Sequence, residues 1–128
     1  MALRVLVVDD NADAAQSMAI LMQAYGYDVW VAQNGREALE AAREHSPDAV
    51  LLDLAMPAMD GYKVARSIQD LSNARTASKK PLIIAITGLG SNLDREHSAQ
   101  AGIDLHLLKP ADPVHLRTLL DTFHSLMS

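Results

Sequence analysis

Residues 3–10 read Leu-Arg-Val-Leu-Val-Val-Asp-Asp, so that a nearly continuous apolar run, Leu3–Val8, stops abruptly at two carboxylates. Similar runs, short and rich in Val, Ile and Leu, follow at Val29–Ala32, Ala49–Leu52, Leu82–Ile86 and Leu105–Leu108. Because these runs are apolar on both faces, they predict strands of a parallel sheet that is covered on both sides.

The stretches between the runs are longer and carry apolar residues at helical spacing. In the first stretch these are Ala14, Met18, Leu21, Met22 and Tyr25; in the third, Val64, Ile68 and Leu71; in the last, Leu116, Leu119, Leu120, Phe123 and Met127. The fourth stretch has only a thin apolar stripe, Leu93, Ala99 and Ala101, and should be the least firmly packed helix. Helix starts are marked by the pairs Asn34 with Glu37, Ser91 with Asp94, and Asp112 with Pro113. Gly26 and Gly102 stand where helices should end.

The alternation of strand and helix indicates an α/β fold with right-handed crossovers. We therefore predict a single domain over residues 1–128. Its fold should be a (βα)5 doubly wound parallel sheet with strand order 2-1-3-4-5, the flavodoxin-like three-layer sandwich. Five such units are too few for an eight-stranded barrel.

Composition narrows the range of functions. The 128 residues carry a formal net charge of −5, which argues against direct binding to nucleic acid or to a membrane surface. Because the chain has no cysteine, disulfides, thiolate metal sites and thiol catalysis are excluded. No run has transmembrane length and no signal peptide is evident, so we expect a cytoplasmic protein.

Polar residues follow the strands at the edge where an open parallel sheet binds its ligands. Strand one ends in Asp9-Asp10, strand three in Asp53, strand four in Thr87 and strand five in Lys109. A single Asp at a strand end is usually a helix cap, but capping does not explain the whole set. We expect three carboxylates, a hydroxyl and an ammonium group to converge at this edge.

Such a cluster of carboxylates favours a bound cation. Two unit charges about 4 Å apart repel by roughly 4 kcal/mol at an effective dielectric of about 20, so the pocket should either raise a pKa or capture a cation. Oxygen ligands without Cys or His select a hard ion, and few protein ligands plus waters suit Mg²⁺. A carboxylate beside Mg²⁺, a Lys and a Thr is an arrangement for phosphoryl transfer.

Four motifs carry a family resemblance: Val-Leu-Val-Val-Asp9-Asp10-Asn11, Leu51-Leu52-Asp53-Leu-Ala-Met-Pro57-Ala-Met-Asp60-Gly61, Ile86-Thr87-Gly88 and Leu108-Lys109-Pro110. Together they resemble the receiver domain of two-component response regulators, over the chain from Leu3 to about Leu126. The resemblance implies a phosphoacceptor signalling domain rather than an enzyme with separate substrates. Such a domain catalyses its own phosphorylation and slow dephosphorylation.

The resemblance also implies roles for individual residues. Asp53 matches the phosphoacceptor. Asp10 matches a direct Mg²⁺ ligand, Asp9 acts on the ion largely through water, and Ala55 supplies a backbone carbonyl; Mn²⁺ can substitute for Mg²⁺. Lys109 matches the lysine that pairs with the phosphoryl oxygens.

Further positions match the switch that reads the phosphoryl group. Thr87 matches the hydroxyl that moves toward it, and the bond before Pro110 is typically cis. In the family this movement displaces the region of helix four, here Ser91–Ala101, and rotates a residue of strand five that is usually Tyr or Phe. That residue is His106 here. Two roles are therefore open for His106: a switch residue that gates the pocket, or a ring that only packs against its neighbours. The other histidines, His45, His97, His115 and His124, are interpreted as surface residues.

The resemblance implies partners as well. The phosphoryl donor should be a histidine kinase or a histidine phosphotransfer protein. The signal should then pass to a downstream effector protein or domain. The effector should contact the face formed by helix four, strand five and helix five, and the resemblance allows dimerisation on phosphorylation. Residues 105–113 look more like receivers fused to hybrid sensor kinases than like those that precede DNA-binding domains.

Three other functions share part of this pattern. A phosphohydrolase of the haloacid dehalogenase type should have an Asp-x-Asp motif after strand one and a cap domain, but this chain has Asp9-Asp10 and no spare length. A flavodoxin should have a loop rich in Ser, Thr and Gly after strand one, where these carboxylates would repel a phosphate. A phosphorylation-independent module of receiver fold usually lacks one of the key residues, and this chain has them all.

We predict a long-lived acyl phosphate. Ala55 and Leu89, two residues beyond Asp53 and Thr87, replace polar side chains that in some receivers position an attacking water. Without those side chains, hydrolysis of the phosphorylated Asp53 should be slow. Loss of label after removal of the phosphodonor measures this directly, and decay within seconds would count against the prediction.

Overall fold

The computed structural model describes residues 2–54, 60–74, 80–88 and 95–127. Strands and helices alternate along them: β1 (Arg4–Val8), α1 (Ala12–Ala24), β2 (Asp28–Ala32), α2 (Gly35–His45), β3 (Ala49–Asp53), α3 (Gly61–Ala74), β4 (Leu82–Thr87), α4 (Arg95–Gln100), β5 (Leu105–Leu108) and α5 (Pro113–Met127). The predicted alternation is confirmed, and the predicted strand bounds differ by at most one residue at either end. No helix within these ranges is both long and apolar enough to cross a membrane.

The five strands form one parallel sheet in the order β2-β1-β3-β4-β5, as the sequence predicts. The order changes direction between β1 and β3, because β2 lies on one side of β1 and the later strands lie on the other. The carboxyl ends of β1 and β3 are therefore neighbours: Val8 pairs with Leu52, and each of them is followed by an acidic residue, Asp9 and Asp53.

Two apolar cores cover the two faces of the sheet, which gives the predicted three layers. On one face, α1 and α5 pack through Ala15, Met22, Leu116 and Leu120. On the other face the buried helical residues come from α2, α3 and the turn after α4: Ala38, Ala42, Val64, Ala65, Ile68 and Ala101. The strands β1 to β4 contribute side chains to both cores, which explains why they read as continuous apolar runs, whereas β5 contributes only Leu107, to the α1–α5 core.

The predicted buried faces of α1 and α4 are partly wrong. In α1 the fully buried residues are Ala15, Ala19 and Met22, whereas Ala14 and Leu21 are exposed. The small residues Ala15 and Ala19 let the helix lie close to the sheet, and apolar residues are so frequent in α1 that the pattern alone does not select the face.

In α4 the apolar stripe was expected at Leu93, Ala99 and Ala101. Ala101 is buried, but Ala99 is exposed and Ser98 takes the buried position. Leu93 and the expected helix start at Ser91 and Asp94 lie outside the described residues.

Helix capping follows the sequence signals. Asn34 accepts a hydrogen bond from the Glu37 N–H at 2.9 Å, and the Glu37 carboxylate accepts one from the Gln33 N–H at 2.9 Å. Asp112 accepts from the Val114 N–H at 2.9 Å where α5 begins at Pro113. The side chain of Asn11 caps α1 by accepting from the Ala14 N–H at 3.0 Å. This cap fixes the chain directly after the first two carboxylates.

Two histidines expected on the surface take part in ring stacking instead. His45 at the end of α2 stacks on Trp30 of β2, with ring centroids 4.3 Å apart. His97 of α4 stacks on Tyr62 of α3, with centroids 4.1 Å apart. His115 is exposed, as expected, and His124 is half-buried. Stacking between distant segments cannot be deduced from spacing along one helix.

Gly26 and Gly102 both end helices with a positive φ, +94° and +83°, but their surroundings differ. A Cβ atom added at Gly26 would meet nothing within 4 Å, whereas one added at Gly102 would collide with the Gln69 side chain at Cγ. The Gln69 amide Nε2 also donates a hydrogen bond to the Gly102 carbonyl at 3.2 Å. Gly102 therefore joins the end of α4 to α3.

This difference makes the two glycines a matched pair for measuring the contact. We expect Gly26→Ala to lower the free energy of unfolding by about 1–2 kcal/mol, the cost of a left-handed alanine. We expect Gly102→Ala to cost about 1–3 kcal/mol more, since Gln69 must be displaced as well. Urea unfolding measures both variants, and equal losses would show that Gln69 does not hold the end of α4.

Candidate functional site

The site lies at the carboxyl end of the sheet, where backbone hydrogen bonds continue past the strands. The Asp9 N–H donates to the Ala32 carbonyl at 3.0 Å, and the Lys109 N–H donates to the Thr87 carbonyl at 2.7 Å. Asp53 is the last residue of β3 and pairs with Ile86 of β4. These residues are therefore positioned by rigid strands rather than by flexible loops.

Asp53 and Lys109 form the central contact of the site. The Lys109 ammonium donates a hydrogen bond to Asp53 Oδ2 at 2.7 Å. The Asp53 side chain is only 7% exposed, whereas that of Lys109 is 40% exposed. A buried carboxylate requires a compensating charge, and the partly exposed Lys109 side chain supplies it. The Lys109–Pro110 peptide bond, which is cis, follows directly.

Asp9 adds a second carboxylate to the site. Burial raises the pKa of the Asp9 carboxyl above its ordinary value, and the charge of Asp53 adds to the rise. The pKa of Asp9 is held back by a hydrogen bond from the Asn11 N–H at 2.9 Å and by the Lys109 ammonium. The negative charge of Asp10 contributes least to raising the pKa of Asp9. The predicted carboxylates thus interact electrostatically, with one ammonium among them.

The donor atoms suit a hard cation. All three acidic side chains offer only oxygen, and a positive charge would stabilise the Asp9 carboxylate, which is partly buried beside the negative charge of Asp53. In the part of the chain that the structure describes, no three acidic or histidine side chains are already grouped as metal ligands. A complete protein cage is not needed for Mg²⁺, which keeps several waters and takes one or two carboxylates. The backbone carbonyl of Ala55 lies outside the described residues.

Thr87 and His106 lie on the neighbouring strands β4 and β5, two positions apart in register, and their side chains reach different partners. Thr87 is buried, and its hydroxyl donates to the Leu107 carbonyl at a long 3.5 Å. The half-buried His106 ring places Nε2 3.0 Å from the Ser98 hydroxyl on α4. The strand-five histidine is thus bonded to the fourth helix. Sequence reasoning missed Ser98, because a lone serine in a short polar helix gives no signal of burial.

Comparisons with known proteins agree with this geometry. The chain matches the family model of the response regulator receiver domain over residues 5–121. It is 36% identical over 113 residues to the DNA-binding response regulator MtrA of Mycobacterium tuberculosis, covering 88% of this chain and 46% of MtrA. The chain therefore spans about half the length of the curated relatives that it matches.

Two solved structures show the same fold. The chemotaxis protein CheY4 of Vibrio cholerae is 28% identical, with a TM-score of 0.83 over 96% of this chain and 99% of CheY4. The receiver domain of Saccharomyces cerevisiae Ssk1, solved with the histidine phosphotransfer protein Ypd1, is 22% identical. Its TM-score is 0.83 over 98% of this chain and 91% of that one, a likeness of fold alone.

The family model covers nearly the whole chain, and the curated relative and the solved structures agree with it. The expected likeness to receivers of hybrid kinases stays a prediction, since MtrA is described as a DNA-binding regulator. The chain belongs to the receiver domains of two-component response regulators, the domains that act in phosphorelay signalling.

Proposed function

We propose that Asp53 is the phosphoacceptor of this receiver domain and takes its phosphoryl group from a phosphohistidine. The observation that carries the proposal is the Asp53–Lys109 contact: a buried carboxylate at the end of a central strand, held at 2.7 Å by a half-exposed ammonium. No other acidic residue of the described chain is as buried as Asp53.

The transfer forms one bond and breaks one bond. An Asp53 carboxylate oxygen attacks phosphorus in line while the phosphorus–nitrogen bond of the donor histidine breaks, and the imidazole departs with the bonding electrons. Lys109 already lies at the attacking carboxylate, so its ammonium can follow the negative charge onto the phosphoryl oxygens. Asp53 becomes an acyl phosphate, and the site gains negative charge.

Mg²⁺ is the proposed cofactor, with Mn²⁺ as a substitute. Asp9, Asp10, Asp53 and the carbonyl of Ala55 would hold it, as the family resemblance implies, with Asp9 acting through water. When bound, the ion neutralises the carboxylates and the incoming phosphoryl oxygens, which otherwise repel one another. The surroundings of Asp9 support this assignment, because its carboxylate is partly buried beside the negative charge of Asp53, and a cation there would stabilise both groups.

The readout would start at Thr87. Its hydroxyl bond to the Leu107 carbonyl is long, at 3.5 Å, so a phosphoryl group on Asp53 can compete for that hydroxyl. His106 neighbours Leu107 in β5 and is bonded to Ser98, which connects the same strand to α4. A shift of β5 would therefore move α4 as well. Phosphorylation of Asp53 would in this way change the balance between two positions of β5 and α4. His106 serves as the switch residue in this scheme.

The partners follow from the chemistry of the donor and from the family. The donor would be a histidine kinase or a histidine phosphotransfer protein; a receiver of the same fold has been solved with such a protein. Because phosphohistidine is made from ATP, we place the domain in the cytoplasm. The effector, a separate protein or a domain beyond residues 1–128, would bind the face formed by α4, β5 and α5. Dimerisation on phosphorylation is another form that the output could take.

Direct binding of DNA by this domain is not part of the proposal. MtrA binds DNA, but this chain matches only 46% of its length and carries a net charge of −5. We also propose that the domain acts on its own Asp53 rather than turning over small phosphoesters. A haloacid dehalogenase-like hydrolase would instead release phosphate far beyond one equivalent per protein.

Asp53→Asn tests the proposed acceptor. With Mg²⁺ and acetyl phosphate, the unaltered protein should gain the mass of one phosphoryl group, and Asp53→Asn should not, because an amide oxygen is a far weaker nucleophile. The matched control is Asp60→Asn, an exposed residue whose side chain accepts hydrogen bonds from the Tyr62 and Lys63 N–H groups, as an asparagine can too. Intact-protein mass spectrometry reads all three, and unchanged labelling of Asp53→Asn would contradict the proposal.

A further inference from the structure

An apolar cavity of about 470 Å³ opens beside the phosphoacceptor, between α1 and the segment that follows β5. Its floor is formed by strand residues that belong to the α1–α5 core, Val7, Leu51 and Ile86. Ala14 and Met18 of α1 form one wall, and Pro110 and Ala111 the other. Phosphoryl transfer uses only the polar end of this space.

The cavity is too large to be a packing defect. Protein interiors rarely leave voids larger than a water molecule, whereas small-molecule sites typically measure about 300–1,000 Å³ and are mostly apolar with a few polar groups. Apolar cavities in proteins can bind apolar molecules from water. Met18 adds an adaptable wall, because an unbranched thioether can fit ligands of different shape.

The polar end of the cavity sets the charge of the ligand. Asp9, Asp53 and Lys109 line it, two carboxylates against one ammonium, so its net charge is negative. Lys109 is already engaged with Asp53 at 2.7 Å, whereas the hydrogen bond that Asp9 accepts from Asn11 comes from a neutral backbone N–H. An ammonium group is therefore favoured here over a neutral or an anionic group.

We propose that this cavity binds a small amphiphilic cation, with an alkyl or aromatic body against Val7, Leu51 and Ile86 and a protonated amine beside Asp9 and Asp53. Such a ligand would occupy the carboxylates that a divalent cation needs. Bound amine would thus compete with Mg²⁺ and hold the domain unphosphorylated. This consequence rests on the proposed function, whereas binding of the amine itself does not.

Three ligands with the same six-carbon chain but end groups of different charge test the proposal: hexylamine, hexanol and hexanoate. Each is titrated into the protein without Mg²⁺ and without phosphodonor, and binding is followed by calorimetry and by amide chemical shifts. We expect hexylamine to bind about tenfold more tightly than hexanol, since a charge-assisted hydrogen bond replaces a neutral one. Hexanoate should bind most weakly, and added Mg²⁺ should weaken hexylamine binding. Equal or tighter binding of hexanol or hexanoate would overturn the proposal.

A pair of variants in α1 locates the ligand. Ala14→Leu fills the cavity from an exposed helical position, and Ala24→Leu makes the same change at the exposed far end of the same helix. Ala14→Leu should weaken hexylamine binding at least about tenfold, and Ala24→Leu should leave it unchanged, because only the first side chain enters the cavity. Unchanged affinity of Ala14→Leu would overturn the assignment. Since no phosphodonor is present, this result is independent of whether Asp53 accepts a phosphoryl group.

Discussion

The contact between the Lys109 ammonium and the Asp53 carboxylate is the interaction on which the site depends. Asp53 is buried, and without a positive partner its charge would be costly in the low dielectric at the end of β3. The partner is the residue that follows β5, and β5 lies two strands away from β3 in the order β2-β1-β3-β4-β5. The contact therefore requires that β3, β4 and β5 are paired, and it brings together the carboxylate and the ammonium of the proposed phosphoryl-transfer site.

The order of the strands explains why these residues meet. In a doubly wound sheet, the strand ends on either side of the switch point converge, so Asp9 and Asp53 follow paired residues of β1 and β3. Their mutual repulsion, which the Lys109 ammonium lessens, favours both a cation at the site and the proposed amine in the adjoining cavity. The same excess of negative charge can therefore be neutralised in two ways, by a metal ion or by the amine. The cation that binds determines whether the site can be phosphorylated.

Much of this could be predicted from the sequence. Strands that are apolar on both faces gave a distinct signal, and the polar residues at their ends marked Asp9, Asp53, Thr87 and Lys109 as neighbours. Helix faces were harder, because α1 is apolar over most of its surface and its small buried residues Ala15 and Ala19 look no different from exposed Ala14. The partners of α4 could not be predicted, since pairs such as His97 with Tyr62 depend on how separate helices lie against each other.

The contacts of α4 suit an element that moves. Within the described residues it is joined to its neighbours by the Ser98–His106 hydrogen bond, by the His97–Tyr62 stack and by the Gln69–Gly102 contact, with little apolar burial beyond Ala101. Polar and stacking contacts can be exchanged for others at small cost, whereas an interlocked apolar core cannot.

The central claim, that the chemistry belongs to Asp53, is tested most directly by locating the label in the unaltered protein. Borohydride reduces an acyl phosphate to an alcohol, so the phosphorylated aspartate becomes homoserine and can be identified in peptides by mass spectrometry. We expect homoserine at position 53 alone, and only in protein treated with phosphodonor and Mg²⁺. Homoserine at position 9 or 10 instead, or a phosphoryl group found on a histidine, would contradict it.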